Sequence, residues 1–240
     1  MKVKQKSPHI WVWLTLLVCI GSFPATAATL FSDLGTGTTV YNDLSEFDLA
    51  GSSSIYGALN NSDSSTFADL FTVSGTGNLP VGEIDLAVSN IIGGNSFFAS
   101  IWTDNSGTPG TEVPGALWDL STANPAETCC SLVSETGITG VNLTGGDQYF
   151  LILGPQSPSD SSLNGWNYNS TGATGLSLQS TNGGSTWTTY YANGPLAAFD
   201  ILTPEPGSWL MIGLGVAAIV TGARYRRRAS LWSPENMIRR

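Results

Sequence analysis

Between Ala28 and Thr203 the chain never holds a helical apolar period; its aromatic and β-branched residues come in short runs cut by clusters of Gly, Pro, Asn and Asp. That punctuation points to antiparallel strands joined by tight turns and packed as a β-sandwich or jelly roll. Alternation is clearest in Ile84, Leu86 and Val88 and in Phe97, Ala99 and Ile101, where every second residue is apolar and one strand face is buried. The pattern predicts strands over 66–73, 81–89, 96–103, 115–120, 137–143, 148–153, 165–169, 176–180, 186–191 and 197–202. Residues 28 to 65 are poor in apolar clusters, and a first strand around Thr39 to Tyr41 followed by loops is expected there. The 176 residues from 28 to 203 suffice for one core.

Charge narrows the function of that region. Residues 28–203 hold sixteen Asp and Glu and no Lys, Arg or His: the nine cations stand at 2, 4, 6, 224, 226, 227, 228, 239 and 240, and the one histidine is His9. A stretch with no cation cannot bind phosphate backbones by counterion release, so nucleic acid is excluded as a partner. It lacks the commonest general base and zinc ligand, and it cannot build a Ser-His-Asp triad or an Arg- or Lys-based anion site. No enzymatic activity is expected. A two-carboxylate glycosidase is the enzymatic alternative; it needs two acids about 5 to 10 Å apart in a cleft, and no motif marks such a pair.

Both ends read as targeting segments. Lys2, Lys4 and Lys6 precede an apolar core from Ile10 to Ile20 and an A-x-A site at Ala25-Thr26-Ala27, the three parts of a secretory signal peptide. Signal peptidase cutting after Ala27 leaves Ala28 as the mature N-terminus. At the other end stand Pro204-Glu205-Pro206-Gly207-Ser208, an apolar run from Trp209 to Ala223, and Arg224-Tyr225-Arg226-Arg227-Arg228. Fifteen helical residues rise roughly 22 Å against a hydrocarbon core of about 30 Å, so a transmembrane helix here borrows flanking residues or thins the bilayer. The arginines hold its end in the cytoplasm, which puts everything before Pro204 outside.

This tripartite C-terminus resembles the PEP-CTERM sorting domain, also catalogued as the ice-binding protein C-terminal domain, in which Pro-Glu-Pro precedes a Gly-rich apolar helix and an Arg cluster. The resemblance implies an exosortase-type sorting enzyme as partner, in a Gram-negative cell that makes exopolysaccharide. It also implies export through the inner membrane, transient anchoring there, and a final place at the cell surface or in the extracellular matrix. Its sorting residues here are Pro204, Glu205, Pro206, Arg224, Arg226, Arg227 and Arg228. The organisation is then a signal peptide (1–27), an exported sandwich (28–203), a sorting and anchor segment (204–228) and a cytoplasmic tail (229–240). Ice binding itself needs a flat, regular Thr array, and no such repeat is present.

Four local features bear on chemistry. Asp104, Asn105 and Ser106 open a stretch running to Gly110 whose oxygen ligands alternate as in a calcium loop; the same residues suit a tight hairpin, and a downstream bidentate Glu is missing. Calcium is thus the only cofactor to weigh. Ser180-Thr181-Asn182-Gly183-Gly184-Ser185-Thr186-Trp187 resembles an Asp-box, a structural hairpin, with Asn182 where Asp is usual. Cys129 and Cys130 are adjacent, and a vicinal disulfide, intermolecular crosslinking and two reduced thiols are all open. Trp102, Trp166, Tyr168, Trp187 and Tyr190, with Trp118 and Tyr191, are either core residues or stacking platforms for a glycan.

Tyr41-Asn42-Asp43-Leu44, Ile101 to Asp104 leading into Ser106 to Gly110, and Thr186-Trp187 before Phe199-Asp200-Ile201 give the exported region a resemblance to the choice-of-anchor type R β-sandwich domain. It implies a surface sandwich and brings no catalytic residues. The expected role is structural or adhesive within exopolysaccharide, with a lectin-like module as the alternative.

Overall fold

The computed structural model describes residues 27–35, 52–56, 64–123, 128–157 and 162–205. Their regular structure is antiparallel strand: β1 (Thr29–Ser32), β2 (Ser52–Tyr56), β3 (Thr66–Thr72), β4 (Gly77–Pro80), β5 (Glu83–Gly93), β6 (Ser96–Asp104), β7 (Pro109–Ser121), β8 (Thr128–Thr136), β9 (Asn142–Gly145), β10 (Gln148–Pro155), β11 (Ser162–Asn167), β12 (Thr174–Ser180), β13 (Thr188–Pro195) and β14 (Phe199–Leu202). All lie in one unit, Ala27–Pro204.

One sheet runs β13-β12-β3-β10-β6-β7. The facing sheet is built on β5. One edge of β5 pairs with β8 from Glu83 to Asn90, and the other is shared, with β14 along Glu83–Leu86 and β11 along Val88–Gly93. β1 and β2 close that sheet beyond β14 and β11, and β4 pairs with β9 in a small separate ribbon. β2 approaches β3 and β10, β11 approaches β10, and β8 approaches β7. β12 and β13 therefore lie one and two strands beyond β3, the outermost strand that β2 approaches.

The core follows from period two. Phe67 and Phe71 of β3, Phe97, Ala99 and Ile101 of β6, Tyr149, Leu151 and Leu153 of β10, and Ile84, Leu86 and Val88 of β5 interleave between the sheets. At its centre Phe199 stacks on Phe31 at 4.5 Å, meets Phe71 edge-on at 5.6 Å and lies 5.7 Å from Trp166. The alternate residues Ala68, Phe150, Ile152 and Leu178 form a second cluster on the opposite face of their sheet, flanked by Phe98, Trp102, Leu176 and Trp187.

Where β5 changes partner from β14 to β11, the ladder is completed by a side chain. Asn167 donates through Nδ2 to Ala87 O at 3.1 Å and to Ser89 Oγ at 3.0 Å, while Ala198 N donates to Asn167 O and Ala87 N to Ala198 O. Buried backbone groups at this break are satisfied that way rather than orphaned.

The strands read from alternation are present, with departures at 137–143 and in residues 28–65, and β4 and β8 are strands that alternation does not mark. Only the end of the segment expected at 137–143 is strand, because Gly137 and Gly140 hold positive φ (72° and 82°) and break the run. In residues 28–65, Thr29–Ser32 and Ser52–Tyr56 are strands, whereas Thr39 to Tyr41 lie outside the described residues. β8 carries no continuous apolar signal, since it packs Val133 inward and leaves Leu132 half exposed.

Candidate functional site

The aromatic candidates separate by burial. Trp166 is fully buried and its Nε1 donates to Ala198 O at 3.3 Å, so it serves the core and cannot stack on a sugar. Trp118 is partly buried against the same core. Trp102 and Trp187 flank the second apolar cluster, and Trp102 Nε1 is held by Ser100 Oγ at 3.0 Å.

Tyr168, Tyr190 and Tyr191 come together. Across the β12–β13 ladder Leu178 faces Thr189 and Ser177 faces Tyr191, so Tyr190 is the extra residue of a bulge. In a regular strand adjacent side chains point apart; the bulge lets these two rings touch, centroids 4.6 Å apart and edge to face. Tyr191 lies over Gly194, where a Cβ would stand 2.4 Å from its Cγ. Tyr190 also meets Phe67 edge-on at 5.1 Å, and Tyr168, which bridges to Ala197, lies 6.5 Å from Tyr191. Tyr190 and Tyr191 are 40% and 37% exposed, and Tyr168 is buried beside them.

The metal candidate is a turn. Ser106 and Gly107 have φ of 56° and 87°, as the two central residues of a type I′ hairpin require. Asn105 N donates to Thr108 O at 2.8 Å, and Asp104 Oδ1 accepts Gly107 N at 2.8 Å. Asp104, Asn105 and Ser106 are thus residues of a type I′ hairpin turn. Among the described residues no group of three His, Cys, Asp or Glu side chains is placed to hold a metal. Asp104 and Asp147 share an open pocket of about 370 Å³ with Thr103, Gly146, Gln148 and Tyr149.

The Asp-box-like turn is likewise structural. Asn182 Oδ1 accepts Thr186 N and the Ser180 hydroxyl, both at 2.9 Å, and Ser180 Oγ accepts Gly184 N at 2.8 Å. Asn182 thus does what a carboxylate would do there. Asn182→Ala is expected to cost about 1 to 2 kcal/mol, from two lost accepted bonds and the one Nδ2 donates to Thr186 Oγ1 at 2.8 Å, whereas Asn182→Asp should cost little because both accepted bonds survive and the Thr186 hydroxyl can turn to donate to the carboxylate. Thermal melts of the two variants check this; equal losses would show that the side chain does not hold the turn. Cys129 and Cys130 lie in β8, and their side chains fall outside the described residues.

Sequence reasoning did not single out the buried acids. Asp33 Oδ1 accepts Phe199 N and Asp69 Oδ2 accepts Ala197 N, each at 2.7 Å, so the two carboxyls pin the approach to β14. Asp33 Oδ2 is buried with no hydrogen-bond partner. Burial pushes Asp33 up to about 8, with Asp69 and Asp200 adding repulsion against the lowering effect of the Phe199 amide. Burial also raises Asp69 to about 6; Ser177, opposite it on the ladder, draws it down although the two side chains miss strict hydrogen-bond geometry. Asp200 is raised as well, again by burial first, and its Oδ1 accepts Leu34 N. A sequence signal for Asp69 existed: it stands between Phe67 and Phe71 on the inward face of β3.

The chain termini of the sandwich meet. Ala28 N donates to Thr203 Oγ1 and Thr203 N to Ala28 O, both at 2.8 Å, and Gly82 N donates to Leu202 O at 2.8 Å. Pro204 lies against bare backbone, since a Cβ on Gly82 would fall 2.3 Å from its Cα. At this point the fold runs into another pattern: residues 202–228 match the family model of the PEP-CTERM protein-sorting motif. The chain carries a PEP-CTERM sorting motif. That motif implies an exported protein recognised by an exosortase. No curated protein matches the chain. Pro204 and Glu205 are exposed, while Pro206, Arg224, Arg226, Arg227, Arg228 and the apolar run from Trp209 lie outside the described residues, as do signal positions 1–26. Among the described residues no helix is long and apolar enough to cross a membrane.

Proposed function

We propose that the protein is delivered through its PEP-CTERM motif to the cell surface or the exopolysaccharide matrix, where its sandwich acts without catalysis as a structural or adhesive element. The observation that carries this reading is the direct junction of a sorting motif, from Leu202 onward, to a sandwich whose sequence holds no cation or histidine. The acids with raised pKa support it, because Asp33 and Asp69 are spent on backbone amides inside the fold rather than presented in a cleft. Calcium at Asp104 is no part of the reading. A lectin-like role is the second reading, favoured by the exposed Tyr190–Tyr191 pair.

Sorting should fail all or none. Removing residues 206–240 is expected to leave the protein soluble in the periplasm or medium with an unchanged melting temperature, since Leu202 to Pro204 stay in place. Mass spectrometry of protein from the membrane, surface and medium follows both ends, with Ala28 expected as the first residue of the exported form. A truncated chain that still reaches the cell surface, or an exported form that begins at Met1, would sink the reading.

A further inference from the structure

Tyr190 and Tyr191 sit in an unusual part of the domain. From 161 to 199 the sequence contains no charged residue, although sixteen acids are spread over 28–203. This uncharged stretch includes all of β12 and β13, and Thr188 to Asn193 of β13 are exposed. The strand is also a sheet edge, yet it is a poor template for another strand. Its register shifts on both sides of Ser177, and it ends in Pro195. What it offers is aromatic surface. Tyr191 is seated on Gly194, Tyr190 is braced edge-on against Tyr191 and Phe67, and the Tyr190 hydroxyl interacts with those of Tyr191 and Tyr168.

We propose that Tyr190 and Tyr191, braced by Tyr168, form a stacking site for a neutral glycan on the outlying β12–β13 end of the sandwich. The proposal rests on the lectin-like reading above and names its site and ligand class. The face of a tyrosine ring carries negative quadrupole charge and attracts the polarised C–H groups on the flat side of a pyranose, while the phenolic hydroxyls bond to sugar hydroxyls. Rings already braced lose little entropy on binding. Neutrality of the ligand follows from charge: an anionic polymer would meet a domain whose every ionised group between 28 and 203 is acidic, whereas a neutral one meets only the uncharged hairpin.

The test is affinity electrophoresis of the full chain in non-ionic detergent, through gels holding dextran, hydroxyethylcellulose or alginate. Wild type is expected to be retarded by a neutral polymer, whereas alginate, which meets the cations at 2–6 and 224–240 of the full chain, gives no retardation that depends on the tyrosines. Tyr190→Ala/Tyr191→Ala should lower apparent affinity about tenfold or more, as loss of an aromatic anchor does, while Tyr191→Phe retains most of it. A melt confirms folding of the double variant; should it fail, Tyr191→Ser on the exposed strand replaces it. Equal retardation of wild type and the double Ala variant in the neutral gels, no retardation in either neutral gel, alginate retardation that the double variant abolishes, or a Tyr-dependent dimer in sedimentation without polymer binding would each overturn the site. Delivery to the surface is read separately, so a protein that is sorted but binds nothing, or binds but is not sorted, tells the two readings apart.

Discussion

Asp33→Asn is expected to raise the melting temperature at pH 8 by on the order of 10 °C and to change it far less at pH 4.5. The folded protein holds Asp33 at about 8 and Asp69 at about 6, whereas an unfolded chain releases these protons near 4. Between those limits the folded state binds more protons than the unfolded one, so stability falls as pH rises. The contribution is complete below about pH 4 and drains away as pH passes through about 6 for Asp69 and about 8 for Asp33. Asp200 acts in the same direction. An asparagine keeps the acceptor for Phe199 N and matches the protonated acid in shape and charge, so it removes Asp33's share of the loss while Asp69 and Asp200 still titrate. A loss of a few kcal/mol moves the melt of a domain this size by about 2 to 4 °C per kcal/mol. Melts from pH 4.5 to 9 decide it; a variant that melts below wild type at pH 8 with the same pH slope would show that Asp33 is ionised in the fold.

Phe199→Ala is expected to cost about 3 to 5 kcal/mol, comparable with the whole stability of many domains. Its ring is fully buried and touches Phe31, Phe71 and Trp166, and its amide is the group that Asp33 holds. Truncation leaves a cavity walled by three rings that cannot collapse without moving both sheets. Phe199→Leu, which keeps most of the volume, should cost about 1 to 2 kcal/mol. Denaturant unfolding gives both numbers, and a loss below about 1 kcal/mol for the alanine variant would mean that the aromatic cluster is not the centre of the core.

Much of the sandwich was legible because its strands obey period two: Ile84, Leu86 and Val88, like Phe97, Ala99 and Ile101, face inward as their spacing demands. β2 was not legible, because Ser52-Ser53-Ser54 carries no apolar pattern and the strand exists through its ladder to β11. β8 was missed for a related reason, as its backbone pairing to β5 does more than its side chains. At the candidate site the aromatic residues were visible but their sorting was not. Trp166 and Tyr190 look alike in sequence, and only the registers show that one enters the core while a bulge brings the other against Tyr191. The turn type at Ser106–Gly107 was not legible for another reason: oxygen-bearing residues suit many turns and loops alike, and only φ identifies this one as type I′.

The junction of the sandwich with its sorting motif has a mechanical meaning. A protein held at a surface by its C-terminus transmits drag on its body through Pro204 into β14. That strand is an interior one, with β1 on one side and β5 on the other. Tension along it must slide two ladders at once instead of unzipping one, and the Ala28–Thr203 pair adds a cross-tie where the load enters. The tether thus enters the fold between two partner strands and not at a free sheet edge.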